Sequence, residues 1–103
     1  MTPPLQKRVL VIVRRPPDHP RTAQGLRAAL GYAAVGLRVQ IACVGAAASV
    51  VHATAAGLPP ALQRPRQTLL ALGCGLHALD ADDEAARDRL GTLCRQSDVV
   101  VAW

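Results

Sequence analysis

The sequence predicts an α/β fold: a mostly parallel sheet with helices on both faces. Three observations carry that expectation. Val9-Leu10-Val11-Ile12-Val13 is continuously apolar and rich in β-branched residues, the pattern of a strand covered on both sides. Strand-like and helix-like segments then alternate to the end of the chain, beginning and ending on a strand. Half of the 103 residues are hydrophobic, which suits one core and leaves no room for a second. Residues 1–103 are therefore read as a single domain, with the Pro-rich residues 1–6 expected to be disordered.

Arg14-Arg15-Pro16-Pro17-Asp18-His19-Pro20 ends the first strand, because prolines cannot donate to a ladder. A helix is predicted from Pro20 or Arg21, with Asp18 or His19 near its N-cap and Pro20 in the first turn. Leu26, Leu30, Ala33 and Leu37 repeat at helical spacing, and Gly36 is the stop. Val39, Ile41, Cys43 and Val44 form the second strand, ending at Gly45. Ala46 to Ala55 reads as a short helix. Another helix is predicted from Pro59 or Pro60 to about Arg64, interrupted by Pro65. Thr68 to Leu72 reads as the third strand, and the residues after Cys74 as a short helical turn. Asp80-Ala81-Asp82-Asp83-Glu84 opens the last helix, where negative charge is favoured. Its apolar face is Ala86, Leu90, Leu93, Cys94 and Ser97. Val99-Val100-Val101 is predicted as a last buried strand running into Trp103.

Composition narrows the class. Phe is absent and Trp and Tyr occur once each, so Val, Leu, Ile and Ala must fill the core. Such a core implies modest stability, to which subunit contacts would add. Met1 to Gln6 contains no apolar stretch of a secretion signal, and no apolar run approaches the roughly 20 residues that span a bilayer. A cytoplasmic protein without a membrane partner is expected. Three cysteines without a secretion signal argue against a disulfide framework.

Charge is uneven. Residues 1–78 hold nine Lys/Arg and one acid, whereas residues 79–103 hold six acids and three Arg. A basic body suits acidic partners, either nucleic acid or an acidic protein, or is simply a solvated surface. The near absence of aromatic side chains argues against single-stranded nucleic acid, leaving at most an indirect association.

Cys74 is the strongest candidate for chemistry. With the third strand at Thr68–Leu72, Gly73-Cys74-Gly75 stands where a strand hands over to a helix. The N–H groups of a helix start would favour the thiolate. In open α/β sheets ligands bind beyond the carboxyl ends of the strands. Three segments qualify: Arg14 to His19, Gly45 to Ser49, and Gly73 to His77. Arg14 and Arg15 would share that rim with Cys74 and lower its pKa further, and His77 would serve as a proton carrier. Against this stand plainer readings: Cys74 as a small residue at a tight turn, and His77 as a surface residue. Cys43 and Cys94 read as buried thiols, and His19 and His52 are weaker candidates. Asp80 to Glu84 reads as a solvated helix start rather than a cation site, and Trp103 either packs at a subunit interface or frays. The chain has no Gly-rich phosphate loop, no Cys-x-x-Cys or other metal spacing and no nucleophile elbow. No cofactor or metal is expected.

Several segments together resemble the DsrE/DsrF/DsrH family of small sulfur-relay proteins, which includes the TusB, TusC and TusD subunits. They are Lys7 to Val13 with the Pro16-Pro17 loop, Ala23-Gln24-Gly25-Leu26-Arg27-Ala28-Ala29-Leu30, Val39 to Gly45, Cys74-Gly75-Leu76-His77-Ala78-Leu79, and Ser97-Asp98-Val99-Val100-Val101-Ala102-Trp103. The fourth is similar to the segment carrying the persulfide cysteine in DsrE-type and TusD-type members, and the terminal Ala-Trp resembles TusB/DsrH members. The resemblance implies a flavodoxin-like three-layer fold with four or five strands. It also implies assembly into homo- or hetero-oligomeric trimers or hexamers, with sulfur donor and acceptor proteins as partners. Cys74 would then carry sulfane sulfur as a persulfide in a sulfurtransferase-type relay. The region after Cys74 is shorter than in longer members. Some members lack a working cysteine and serve as structural subunits, a role equally open to this chain. A third alternative is a small anion- or nucleotide-binding module of the same fold.

Overall fold

A computed structural model describes residues 7–103; the disorder expected for residues 1–6 lies outside the described residues. Four strands, β1 (Arg8–Val13), β2 (Arg38–Val44), β3 (Gly75–Leu79) and β4 (Val99–Ala102), form one parallel sheet in the order β3-β2-β1-β4. The helices are α1 (Pro20–Ala34), the four-residue α2 (Ser49–His52), α3 (Pro60–Ala71) and α4 (Glu84–Arg95). The layers are those of a flavodoxin-like three-layer α/β fold. One face of the sheet carries α1 and α3 and the other carries α4.

Strand alternation sets both cores. Val9, Val11 and Val13 with Val39, Ile41 and Cys43 point toward α1 and α3, where Leu26, Ala29, Leu62 and Leu69 meet them. Leu10, Ala42 and Leu79 point the other way, against Ala86 with Leu90, Leu93 and Cys94 of α4. Four of the five residues of the predicted apolar face of the last helix are thus packed, while Ser97 lies beyond the end of α4. β1 lies between β2 and β4 and is covered on both faces, as its unbroken apolar run requires.

The local signals at the helix ends behave as expected. His19 caps α1, its Nδ1 accepting from Arg21 N at 3.1 Å, and Asp83 caps α4 through Ala85 N. Gly36, with φ of +91°, follows the end of α1. At the other end of the sheet Asp98 accepts from Arg8 N at 2.8 Å and donates its own N–H to Arg8 O at 2.8 Å. This pins the start of β4 to β1.

Four expectations are corrected. Thr68–Leu72 is not a strand: most of it is the last turn of α3, which runs on through Pro65 instead of stopping at Arg64. Leu62 and Leu69, seven residues apart, are both fully buried while Leu70 and Leu72 are exposed, a helical and not a strand pattern. The segment after Cys74 is not a helical turn but β3. Ala46–Ala55 is not one helix: a 3₁₀ turn at Gly45–Ala47, α2 and a second 3₁₀ turn at Ala55–Gly57 share that stretch. β4 is an edge strand, not a buried one, with Val99 and Val100 exposed.

Candidate functional site

Cys74 follows a helix end instead of preceding a helix start. Gly73, at φ +79°, is the left-handed residue after α3. Its N–H donates to Leu70 O and that of Cys74 to Leu69 O, both at 3.0 Å. These two bonds make a Schellman cap, in which the residue after the glycine packs against the last helical turn. Cys74 does so: it is 8% exposed and belongs to the core that contains Leu69. Burial raises the Cys74 pKa above its ordinary value. The peptide dipoles beside it are those of a carboxyl terminus, which disfavour an anion.

The residues expected around Cys74 lie elsewhere. Arg14 and Arg15 follow the carboxyl end of β1, whereas Cys74 precedes the amino end of β3. Strands of five or six residues put these rims on the order of 15 Å apart. Of the three segments expected at the carboxyl rim, Arg14–His19 and Gly45–Ser49 are there. The third place is taken by the Asp80–Asp83 turn and not by Gly73–His77. His77 is on the α4 face of β3, since its neighbour Leu76 joins the α1/α3 core to which Cys74 belongs. The sheet separates the two side chains. Cys43 is fully buried, its pKa pushed up to about 12 by desolvation. Cys94 is half-buried against the α4-side core. Trp103 packs on the α1 side, and its backbone N–H extends the sheet by donating to Ile12 O at 2.8 Å.

The α4 face holds an arrangement the sequence analysis does not assemble. One helix cannot cover four strands, and beside α4 a groove of about 490 Å³ remains over the amino-terminal half of the sheet. Arg8 and Arg38, the first residues of β1 and β2, line it with Gln40 and His77 from the sheet and Arg89, Gln96 and Ser97 from α4 and its end. His77 bridges the two layers. Arg89 Nη2 donates to His77 Nδ1 at 3.1 Å, and His77 Nε2 meets Gln40 Oε1 at 2.5 Å. This network assigns the neutral tautomer with its proton on Nε2. Gly75 leaves room for it: a Cβ there would collide with Gln40 Oε1. The signal for this groove was present in β2. Arg38 and Gln40 alternate with Val39 and Ile41, which marks one face of that strand as uncovered.

Burial, and after it the Arg89 guanidinium, hold the His77 pKa below its ordinary 6.5. A group with a lowered folded pKa favours the neutral ring in the folded state. Its contribution is complete above 6.5 and is lost as pH falls from there toward the folded value. The urea midpoint is expected to drop between about pH 7 and about pH 5, and to drop less in His77→Gln. Equal slopes in the two proteins would show that His77 does not couple to folding.

No family model, curated protein or solved structure matches this chain.

Proposed function

We propose that the chain is a non-catalytic subunit of a sulfur-relay type assembly, with Cys74 in a packing role. One observation carries this reading. As a residue Cys74 is 8% exposed; it belongs to the apolar core and is remote from Arg14 and Arg15. Persulfide exchange needs an accessible thiolate with a pKa near ambient pH, and burial moves this thiol away from both conditions. The surface around the amino rim of the sheet suits a subunit contact. Val35 is 76% exposed and Leu72 56% exposed; they close α1 and α3, and Leu72 lines the hollow together with Gly36, Leu37 and Gly73.

The persulfide carrier remains the second reading, favoured by one observation: Cys74 and Arg38 border that same hollow of about 310 Å³. Thiol chemistry separates the two. In a native titration with an aromatic disulfide, Cys94 is expected to react first, with Cys43 and Cys74 labelled only on unfolding. After incubation with a persulfide donor, intact-mass analysis is expected to show no sulfur on Cys74. Rapid native labelling of Cys74, with sulfur uptake abolished in Cys74→Ser, would overturn the non-catalytic reading and establish the carrier.

A further inference from the structure

The groove beside α4 opens on the face of the sheet opposite Cys74, and only Arg38 and Gln40 line both it and the hollow that Cys74 borders. Its polar lining is rich in donors. Arg8, Arg38 and Arg89 enter it, and no Asp or Glu is among its lining residues. Arg8 is engaged with Asp98 just outside, its Nε 3.8 Å from Oδ2. Arg38 has no acidic partner among the described residues. Arg89 spends one N–H on His77, which fixes its planar head and leaves its other donors free. Gln40 uses its carbonyl oxygen on His77, so its NH₂ group remains to donate. Two guanidinium forks and an amide, with Arg89 and Gln40 both bonded to the histidine that bridges sheet and helix, match an anion with several oxygens. Opposing them is the carboxyl end of α4. That end is largely satisfied internally, because Ser97 Oγ donates to Leu93 O and the N–H groups of Gln96 and Ser97 donate to Thr92 O and Cys94 O. The volume suits a small molecule with one charged group, not an inorganic ion alone.

We infer that this groove is a binding site for a phosphate-bearing small molecule, with Arg38 and Arg89 on the phosphoryl oxygens and the Gln40 amide beside them. His77 is a positioning residue that orients Arg89 and Gln40. A phosphate group also occurs in a nucleic-acid backbone, and the test separates the two sources.

The His77 ring resonances report binding directly. Inorganic phosphate, glycerol phosphate and a single-stranded oligonucleotide are titrated in parallel at low salt, with glycerol as the uncharged control. Expected are saturable shifts with phosphate and a larger affinity for glycerol phosphate. Arg38→Gln and Arg89→Gln, both surface changes that leave the fold intact by circular dichroism, should each weaken binding about tenfold or more. Arg27→Gln on α1, across the sheet, should leave it unchanged. Bound phosphate should also raise the His77 pKa, which a merely structural histidine would not show. The inference is overturned by unsaturable shifts at millimolar phosphate or by wild-type affinity in both groove variants. Tighter binding of the oligonucleotide with a steep salt dependence would overturn the small-molecule source.

Discussion

Pro65→Ala is expected to stabilise the protein by about 2–3 kcal/mol, since a proline inside a helix is about 3 kcal/mol worse than alanine. α3 runs from Pro60 to Ala71, and Pro65 lies beyond the first turn, where a proline is tolerated. It cannot donate to the carbonyl of Ala61, and its ring crowds the preceding turn. The helix nonetheless continues, because its ends are held elsewhere. Leu62 and Leu69 are fully buried on either side of Pro65. The Arg66 guanidinium donates to Val50 O at 3.0 Å and also to Ala53 O, tying α3 to the end of α2. Tertiary packing therefore overrides the local cost, and removing that cost leaves the packing in place. For a domain of this size the gain corresponds to a rise in Tm on the order of 10 °C. A thermal melt of Pro65→Ala beside wild type checks it. An unchanged or lower Tm would mean that the half-buried proline ring contributes more by packing than it costs the helix.

The same helix shows why part of the fold was legible and part was not. β1, β2, α1 and α4 follow from signals that act locally: an unbroken β-branched run, alternation, His19-Pro20 at a helix start, and the acidic cap at Asp83. Around residues 60–79 the local signals compete. Pro65 argues for a break, and Thr68–Leu72 is apolar enough for a strand, so Gly73 reads as a strand end. Two cues point the other way. The spacing of Leu62 and Leu69 is helical, and Leu76 and Ala78 alternate with Gly75 and His77 as in a strand. A five-residue strand with a histidine at its centre is a weak pattern, readable only once an open sheet face is there to receive the imidazole.

That one misplaced boundary carried the candidate site with it. Moving the strand from Thr68–Leu72 to Gly75–Leu79 transfers Cys74 from the carboxyl rim of the sheet to the amino rim. It also reverses the sign of the neighbouring helix dipole and puts His77 on the opposite face. The basic groove was hidden for a different reason. Arg8, Arg38 and Arg89 are far apart in sequence, and only the strand order β3-β2-β1-β4 and the crossover of α4 bring them to one place. Charge counts along the chain identify a basic body, but they contain no information about which arginines share a surface.

Gly25→Ala should destabilise the protein by about 1 kcal/mol and at most about 2, an overpacking cost of about 1–3 kcal/mol being offset by a helix-propensity gain of about 1 kcal/mol. Gly25 lies in the buried face of α1. A Cβ there would stand 2.6 Å from Val13 Cγ1, 3.2 Å from Trp103 Cγ and 3.3 Å from Trp103 Cβ. Neither neighbour yields easily. Val13 is fully buried and β-branched, with one favoured rotamer for its setting. Trp103 is pinned by its backbone bond to Ile12 O. Gly31, in the same helix but facing open space, supplies the internal comparison. Gly31→Ala should stabilise by about 0.5–1 kcal/mol through the same propensity term with no clash. Urea unfolding of both variants reads the difference in sign. A truncation at Val13 separates crowding from any other effect: in a Val13→Ala background, Gly25→Ala should become neutral or stabilising. If Gly25→Ala stabilises the wild-type chain as Gly31→Ala does, Val13 and Trp103 do not crowd this position, and close approach of α1 to β1 is not what fixes the carboxyl end of the sheet.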